Sequence, residues 1–371
     1  MTRVQISRAA LIALVVAAGV EGWRLSSADL AAQSGGRRVP MFEVDKTWPK
    51  VPEKFRIGDP SSIATNAQDQ VFVLHRPRTL KPDQAKMAAP AVIVFDAAGN
   101  YVKSWGGDGN GYEWPQREHG IHIDNKGFVW LGGNNCPTNG IANLKPVADD
   151  QLLKFTQDGK FVMQIGKSNQ SKGNNDTQNL HRPADAQVYA PTNELIVADG
   201  YGNHRVAVFD ADSGKFKRMW GAFGNKPLDD DNCEVITPKT FSDPGPQQLS
   251  IVHALRVAKD GTVYVADREY RRVQMFTKEG KFLKQVVRTN EPFARNLALS
   301  PDEQFLYVGG GKGVYVLDSK TLDVIGSITP PGIIGPGHQI ATDSKGNLYI
   351  AGTGQGMQKL VFKGMSGPAT N

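Results

Sequence analysis

The chain has 371 residues, with 43 Lys and Arg against 37 Asp and Glu and a formal charge of +6. That charge is spread along the chain, with no Lys/Arg-rich run and no interleaving of basic and aromatic residues, which argues against a nucleic-acid partner. Two cysteines are too few for a disulfide-framework fold or a cysteine zinc cluster, and 40 Gly with 22 Pro suit a chain made of many turns.

Residues 1–32 read as a signal peptide. Arg3 and Arg8 bracket the approach to an apolar run from Ala9 to Val20 that is short for a membrane span, and Glu21 and Arg24 close it. Small residues at Ala31 and Ala32 offer a cleavage region, and an uncleaved anchor is the alternative. The mature chain is expected to be secreted or periplasmic, monomeric, and without stable membrane association after signal removal. Residues 33–40 read as a linker, 41–363 as one domain and 364–371 as a polar tail.

Within that domain, residues 41–48 form a lone strand. One unit then repeats, clearest at 253–276: an inner strand (253–258), a Lys-Asp-Gly turn, a second strand (263–268), a polar corner and a third strand (272–277), with a fourth over 280–287. Alternating Val, Tyr and Phe broken by Asp-Gly is the pattern of a β-meander. Such a sheet has apolar side chains on both faces and needs copies of itself on either side. Inner strands at 62–66, 119–124, 185–190, 253–258, 296–300 and 338–343 begin six such units. The last lacks a fourth strand, and the strand at 41–48 can supply it, which joins the two ends of the chain and leaves no open edge. The expected fold is all-β: a six-bladed β-propeller closed by an N-terminal strand. Third strands end on an apolar anchor in each blade: Phe95, Phe155, Phe209, Phe276, Leu317 and Val361. Three long loops, 77–90, 134–150 and 222–251, fall on one face, where a rigid scaffold usually carries its function. Cys136 and Cys233 lie in two of them and are a candidate disulfide.

A residue at the start of an inner strand projects toward the axis on that loop-rich face. His119, His253 and His338 hold this place in blades two, four and six, about a third of a turn apart, so three imidazoles converge on one point. Three neutral imidazoles with an open fourth position suit a catalytic zinc. Taken singly, each reads more readily as a polar channel residue bonded to water, and it is the trio at matched positions in alternate blades that favours the metal. His122 lies inside a strand, and His75, His181 and His204 have no symmetric partner; these four read as structural or solvated. Second strands end on the same face at Arg76 (VFVLHR), Tyr201 (after IVADG) and Arg268 (VYVADR). A guanidinium offers a planar fork for a carboxylate, and two beside a phenol favour the phenolate, which makes Tyr201 a candidate base. The alternative for all three is a corner residue that holds a loop by hydrogen bonds.

YGNHRVAVF and REYRRVQMF, with the ADG and ADR strand ends, resemble NHL repeats, and the wider set resembles the peptidyl-α-hydroxyglycine α-amidating lyases over about residues 41–362. The resemblance implies a six-bladed propeller that holds zinc through three histidines. REHGIHID, IVHALRVA and GPGHQIATD match the ligand segments, so that role passes to His119, His253 and His338. The family's catalytic tyrosine lies in an Asp-Gly-Tyr segment, matched by Asp199, Gly200 and Tyr201. Its two active-site arginines lie in a His-Arg and an Ala-Asp-Arg-Glu segment, matched by Arg76 and Arg268. The implied activity is cleavage of the N–C bond of an α-hydroxyglycine-type carbinolamide to an amide and glyoxylate. The substrate would be a small molecule or peptide whose carboxylate Arg76 and Arg268 hold. Gln339 stands where the family has an Asp that helps hold a structural calcium, which argues against calcium here. Gly202 stands where the family has a cysteine, so the family's disulfides do not transfer. The alternative to a lyase is a non-catalytic NHL propeller that binds a peptide, glycan or protein through the loop-rich face. A lactonase-type hydrolase is a third reading, disfavoured because such sites hold calcium through carboxylates.

Overall fold

The computed structural model describes residues 38–366 apart from 139, 142 and 229–241; residues 1–32, where a signal peptide is expected, and Cys233 lie outside the described residues. The strands form six four-stranded antiparallel sheets whose inner strands are Asp59–Thr65, Glu118–Ile123, Asp185–Tyr189, Val252–Val257, Leu297–Leu299 and Gln339–Thr342. Inner strands of successive sheets touch in a ring, the sixth meeting the first, which makes a six-bladed propeller. In the sixth blade, Leu348–Gly352 and Gly356–Met365 follow the inner strand, and the N-terminal strand Pro40–Asp45 pairs outside them, Phe42 opposite Phe362. The last strand runs to Met365, where Arg38 and Val39 bond to Ser366 and extend the pairing.

Second strands such as VFVLHR and ELIVAD are buried at every position, since neighbouring blades cover both faces. Outermost strands such as YVKSW keep partial exposure at the rim. Between blades three and four, Ile196, Val206 and Trp220 pack with Leu255, Val263 and Phe276; burying one such side chain stabilises the fold by roughly 1.5–3 kcal/mol. The anchors Phe95, Phe155, Phe209, Phe276 and Leu317 are all buried. Blade six corrects the expectation by one residue: Leu360, not Val361, pairs with Leu348 and is fully buried. In a strand that shift turns Val361 to the opposite face.

The repeated Asp and Arg of blades three and four have a structural task. Asp199 pairs with Arg205 at 2.9 Å and Asp267 with Arg272 at 2.8 Å, each pair without solvent exposure. Arg205 also donates to the carbonyls of Asn174 and Asn179 at 2.7 and 2.9 Å, and Arg272 to those of Pro244 and Gln248 at 3.0 and 2.9 Å. Each guanidinium therefore ties the incoming interblade loop to the corner where the second strand ends. No helix among the described residues is long and apolar enough to cross a membrane.

Candidate active site

The three histidines meet. Ring centroids of His119, His253 and His338 lie 4.5–4.9 Å apart, and their ligand nitrogens fall within 4.8 Å of one another. Local backbone irregularity aims two of them. Pairing with the second strand shifts register between Glu118 and Ile121 and between Val252 and Ala254, so each of these histidines sits in a β-bulge at the head of its strand. A bulge re-aims a side chain that regular pleating would direct elsewhere.

Each Nδ1 is bonded to a main-chain carbonyl of an intervening blade: His119 to Ala184 at 2.7 Å, His338 to Ser61 at 2.6 Å, and His253 to Arg295. A carbonyl only accepts, so Nδ1 carries the proton and Nε2 is left bare and pointing inward. Ser61 itself lies in a third bulge, between Pro60 and Ser62. Burial pushes all three imidazoles toward the neutral form. His119 and His253 fall well below their usual range, and His338 is lowered to about 3 by burial and by the charge of Arg76. His253 Nε2 is buried with no hydrogen-bond partner, a position that costs roughly 1–3 kcal/mol if nothing fills it. Three neutral, inward-facing nitrogens, one of them orphaned, form a set fit to hold a metal ion.

Tyr201 closes one side of this point. Its Oη donates to His119 Nε2 at 3.0 Å and accepts from Arg268 Nη1 at 2.9 Å. The corner that carries it crosses the inner strand of blade four so closely that a Cβ on Gly200 would lie 2.2 Å from Val252 N, so only glycine fits there. Arg182 holds the corner from below: its Nη1 donates to Tyr201 O at 3.0 Å, its Nε to Asn134 O at 3.2 Å, and its guanidinium lies 5.7 Å from the phenol ring.

Arg76 is buried, with Nε donating to Glu118 O at 2.8 Å and its Nη nitrogens bonded to nothing among the described residues. Burial, with help from Arg117, lowers its pKa to about 10, so it remains charged at neutral pH. Arg268 is more committed than the sequence implies. Its Nε and Nη2 both reach Glu269 Oε1, at 2.8 and 2.7 Å, and Nη1 holds Tyr201. Burial opposes its charge, but Tyr201 and Glu269 outweigh that and raise its pKa. The side of its fork pictured as open to a substrate carboxylate is thus engaged by a carboxylate of the chain itself.

A cavity of about 450 Å³ opens from His253 and His338 outward between blades four and six. Among the described residues, the histidine trio is the one group of three or more His, Cys, Asp or Glu side chains placed to hold a metal. At Gln339 the amide nitrogen donates to His253 O at 3.1 Å, and Oε1 is buried without a hydrogen-bond partner. Two of the other histidines serve the main chain: His75 accepts from Gly58 N at 3.2 Å, and His122 accepts from Val188 N at 3.2 Å. The candidate pair of Cys136 with Cys233 falls, at its second end, outside the described residues.

Sequence reasoning missed Arg182, Glu269 and the three carbonyls that orient the histidines. The 18-residue connection 167–184 before blade three could have drawn attention to Arg182, since it is longer than two of the three loops singled out. Glu269 was visible beside Arg268, but not its contact.

No protein-family model matches the chain. It is 25% identical to peptidyl-glycine alpha-amidating monooxygenase A of Xenopus laevis over 341 residues, 83% of this chain and 32% of that protein. It is 25% identical to a probable peptidyl-alpha-hydroxyglycine alpha-amidating lyase of Caenorhabditis elegans over 260 residues, 66% of this chain and 63% of that one. NHL repeat-containing protein 3 of Mus musculus is 23% identical over 245 residues, 65% of this chain and 58% of that one. The chain thus spans from about a third to under two thirds of the length of these relatives. Among solved structures, the WD40 propeller domain of Doa1 matches with a TM-score of 0.50 at 12% identity, covering 87% of this chain and 97% of that one, a likeness of fold.

Proposed function

We propose, from its similarity to the amidating-lyase and NHL-repeat propellers, that this protein is an exported zinc-dependent lyase that cleaves α-hydroxyglycine-type carbinolamides to an amide and glyoxylate. The observation that carries the reading is the place of Tyr201 Oη, 3.0 Å from His119 Nε2 and 2.9 Å from Arg268 Nη1. A phenol oxygen that Arg268 donates to therefore sits beside the point where the three imidazole Nε2 atoms meet. His119, His253 and His338 would hold the zinc, which supplies Lewis acidity toward an oxygen of the substrate.

The rest is done by the chain's own side chains. Arg76, charged and with free Nη donors, binds the substrate carboxylate and sets the hydroxyl toward Tyr201. Tyr201 takes the hydroxyl proton. As the C–O bond becomes a carbonyl, the C–N bond breaks, its electron pair passes to the amide nitrogen, and that nitrogen takes up the proton that Tyr201 removed from the hydroxyl, which leaves Tyr201 as it began. Glyoxylate and a primary amide leave, and no water is consumed. Arg76, Arg182 and Arg268 surround the phenol with positive charge and stabilise the negative charge that Oη carries during transfer. Arg268, engaged by Glu269, positions Tyr201; the carboxylate is left to Arg76. The expected signal at residues 1–32 supports an exported enzyme.

Product analysis tests this reading. With α-hydroxyhippurate, the zinc-loaded chain is expected to release glyoxylate and benzamide in equal amounts. Benzoate in place of benzamide would point to a hydrolase, and no product would leave the non-catalytic propeller.

A further inference from the structure

The cavity beside His253 and His338 holds more positive charge than one substrate carboxylate needs. Its lining carries three guanidiniums, of Arg268, Arg271 and Arg295, and a single carboxylate, Glu269, which is held by Arg268 at 2.7 Å. Arg271 donates through Nη1 to Thr289 O at 2.9 Å. Arg295 is different. Its main-chain carbonyl orients His253, while its exposed side chain forms no hydrogen bond or ion pair among the described residues. Glu291, the acid of the same loop, is engaged by Arg288 at 2.6 Å. An unpartnered, planar donor fork thus stands at the rim of a cavity whose size suits a small molecule. The point where the three histidines meet lies at the inner end, where His253 and His338 line the cavity and the charge of Arg76 acts on His338, so a substrate that reaches both ends presents its acyl portion to Arg295.

We infer that Arg295 is a specificity determinant that binds a second anionic group, a carboxylate on the acyl side of the substrate. The preferred carbinolamides are then small dianions, with one carboxylate on the hydroxylated carbon and another at the far end of the acyl chain. This rests on the lyase reading for the orientation of the substrate. The binding chemistry can be tested apart from turnover.

N-succinylglycine has both carboxylates and lacks the hydroxyl, so it is not cleaved; succinamoylglycine is its isostere with a neutral end. Calorimetric titration of the zinc-loaded full chain is expected to give about tenfold tighter binding of N-succinylglycine, the scale of one charge-assisted hydrogen bond at a partly screened site. R295Q, which keeps the main-chain carbonyl on His253, is expected to bind the two equally. Equal or absent binding in the parent chain, or a preference that survives in R295Q, overturns the proposal. Glyoxylate release from the α-hydroxylated counterparts is scored separately. Its absence alongside an intact preference for the dianion would overturn the lyase reading and leave the anion subsite standing.

Discussion

Replacing Tyr201 with Phe is expected to lower glyoxylate release by at least about a hundredfold, the lower end of what a positioned acid–base group contributes. The substitution removes one oxygen and little else. The phenol ring keeps its place between Arg182 and Arg268, whose guanidiniums lie 5.7 and 5.4 Å from its centre. The three Nδ1 bonds that orient the histidines go to Ala184, Arg295 and Ser61, none of which touches the Tyr201 hydroxyl. Bound metal should therefore stay at the parent level while turnover falls. A Phe variant with near-parent turnover would remove Tyr201 from the chemistry, and one that lost metal as well would show that the hydroxyl supports the site rather than the reaction.

A second large effect is expected on stability. Arg272→Ala strands Asp267, which has no solvent exposure and rests on Arg272 Nε at 2.8 Å. Removing one partner of a buried ion pair typically costs about 3–5 kcal/mol, because the charge left behind has neither water nor a counter-ion. Two carbonyls of the loop entering blade four, of Pro244 and Gln248, lose their donors at the same time. Urea unfolding should register the loss, and the double change Asp267→Leu with Arg272→Met should recover part of it, since no charge then remains buried. A loss under about 1 kcal/mol for Arg272→Ala would mean that the pair is not what anchors this corner.

The contrast between what the sequence disclosed and what it hid has a physical pattern. His119, His253 and His338 were legible because a repeat assigns each residue a place in the ring, and three identical side chains at equivalent places in alternate blades must face one another. Tyr201, Arg76 and Arg268 were legible in the same way, as residues that end second strands. The carbonyls of Ser61, Ala184 and Arg295 were not, because a main-chain oxygen leaves no trace in the residue type. Arg182 was hidden for another reason. It occupies a left-handed conformation, with φ of 61°, in a connection without repeat periodicity, so neither spacing nor strand pattern marks it. The blade-six anchor was placed on Val361 rather than Leu360 because neighbouring apolar residues in LVF give no basis for choosing a face, and pairing with Leu348 decides it. Glu269 shows the limit of reading residues singly. The sequence assigned Arg268 to a substrate carboxylate, and the residue next to it supplies one.

The most direct test of the metal centre is the elemental metal content of the purified chain, measured against His253→Ala. His253 contributes one of the three inward nitrogens, and its Nε2 has no other partner. The expected result is about one zinc per chain in the parent and none in the variant, since a site of two imidazoles loses the ligand count that a catalytic zinc requires. No metal in the parent even after zinc is added back, or equal metal in both, would contradict a three-histidine centre and with it the lyase built upon it.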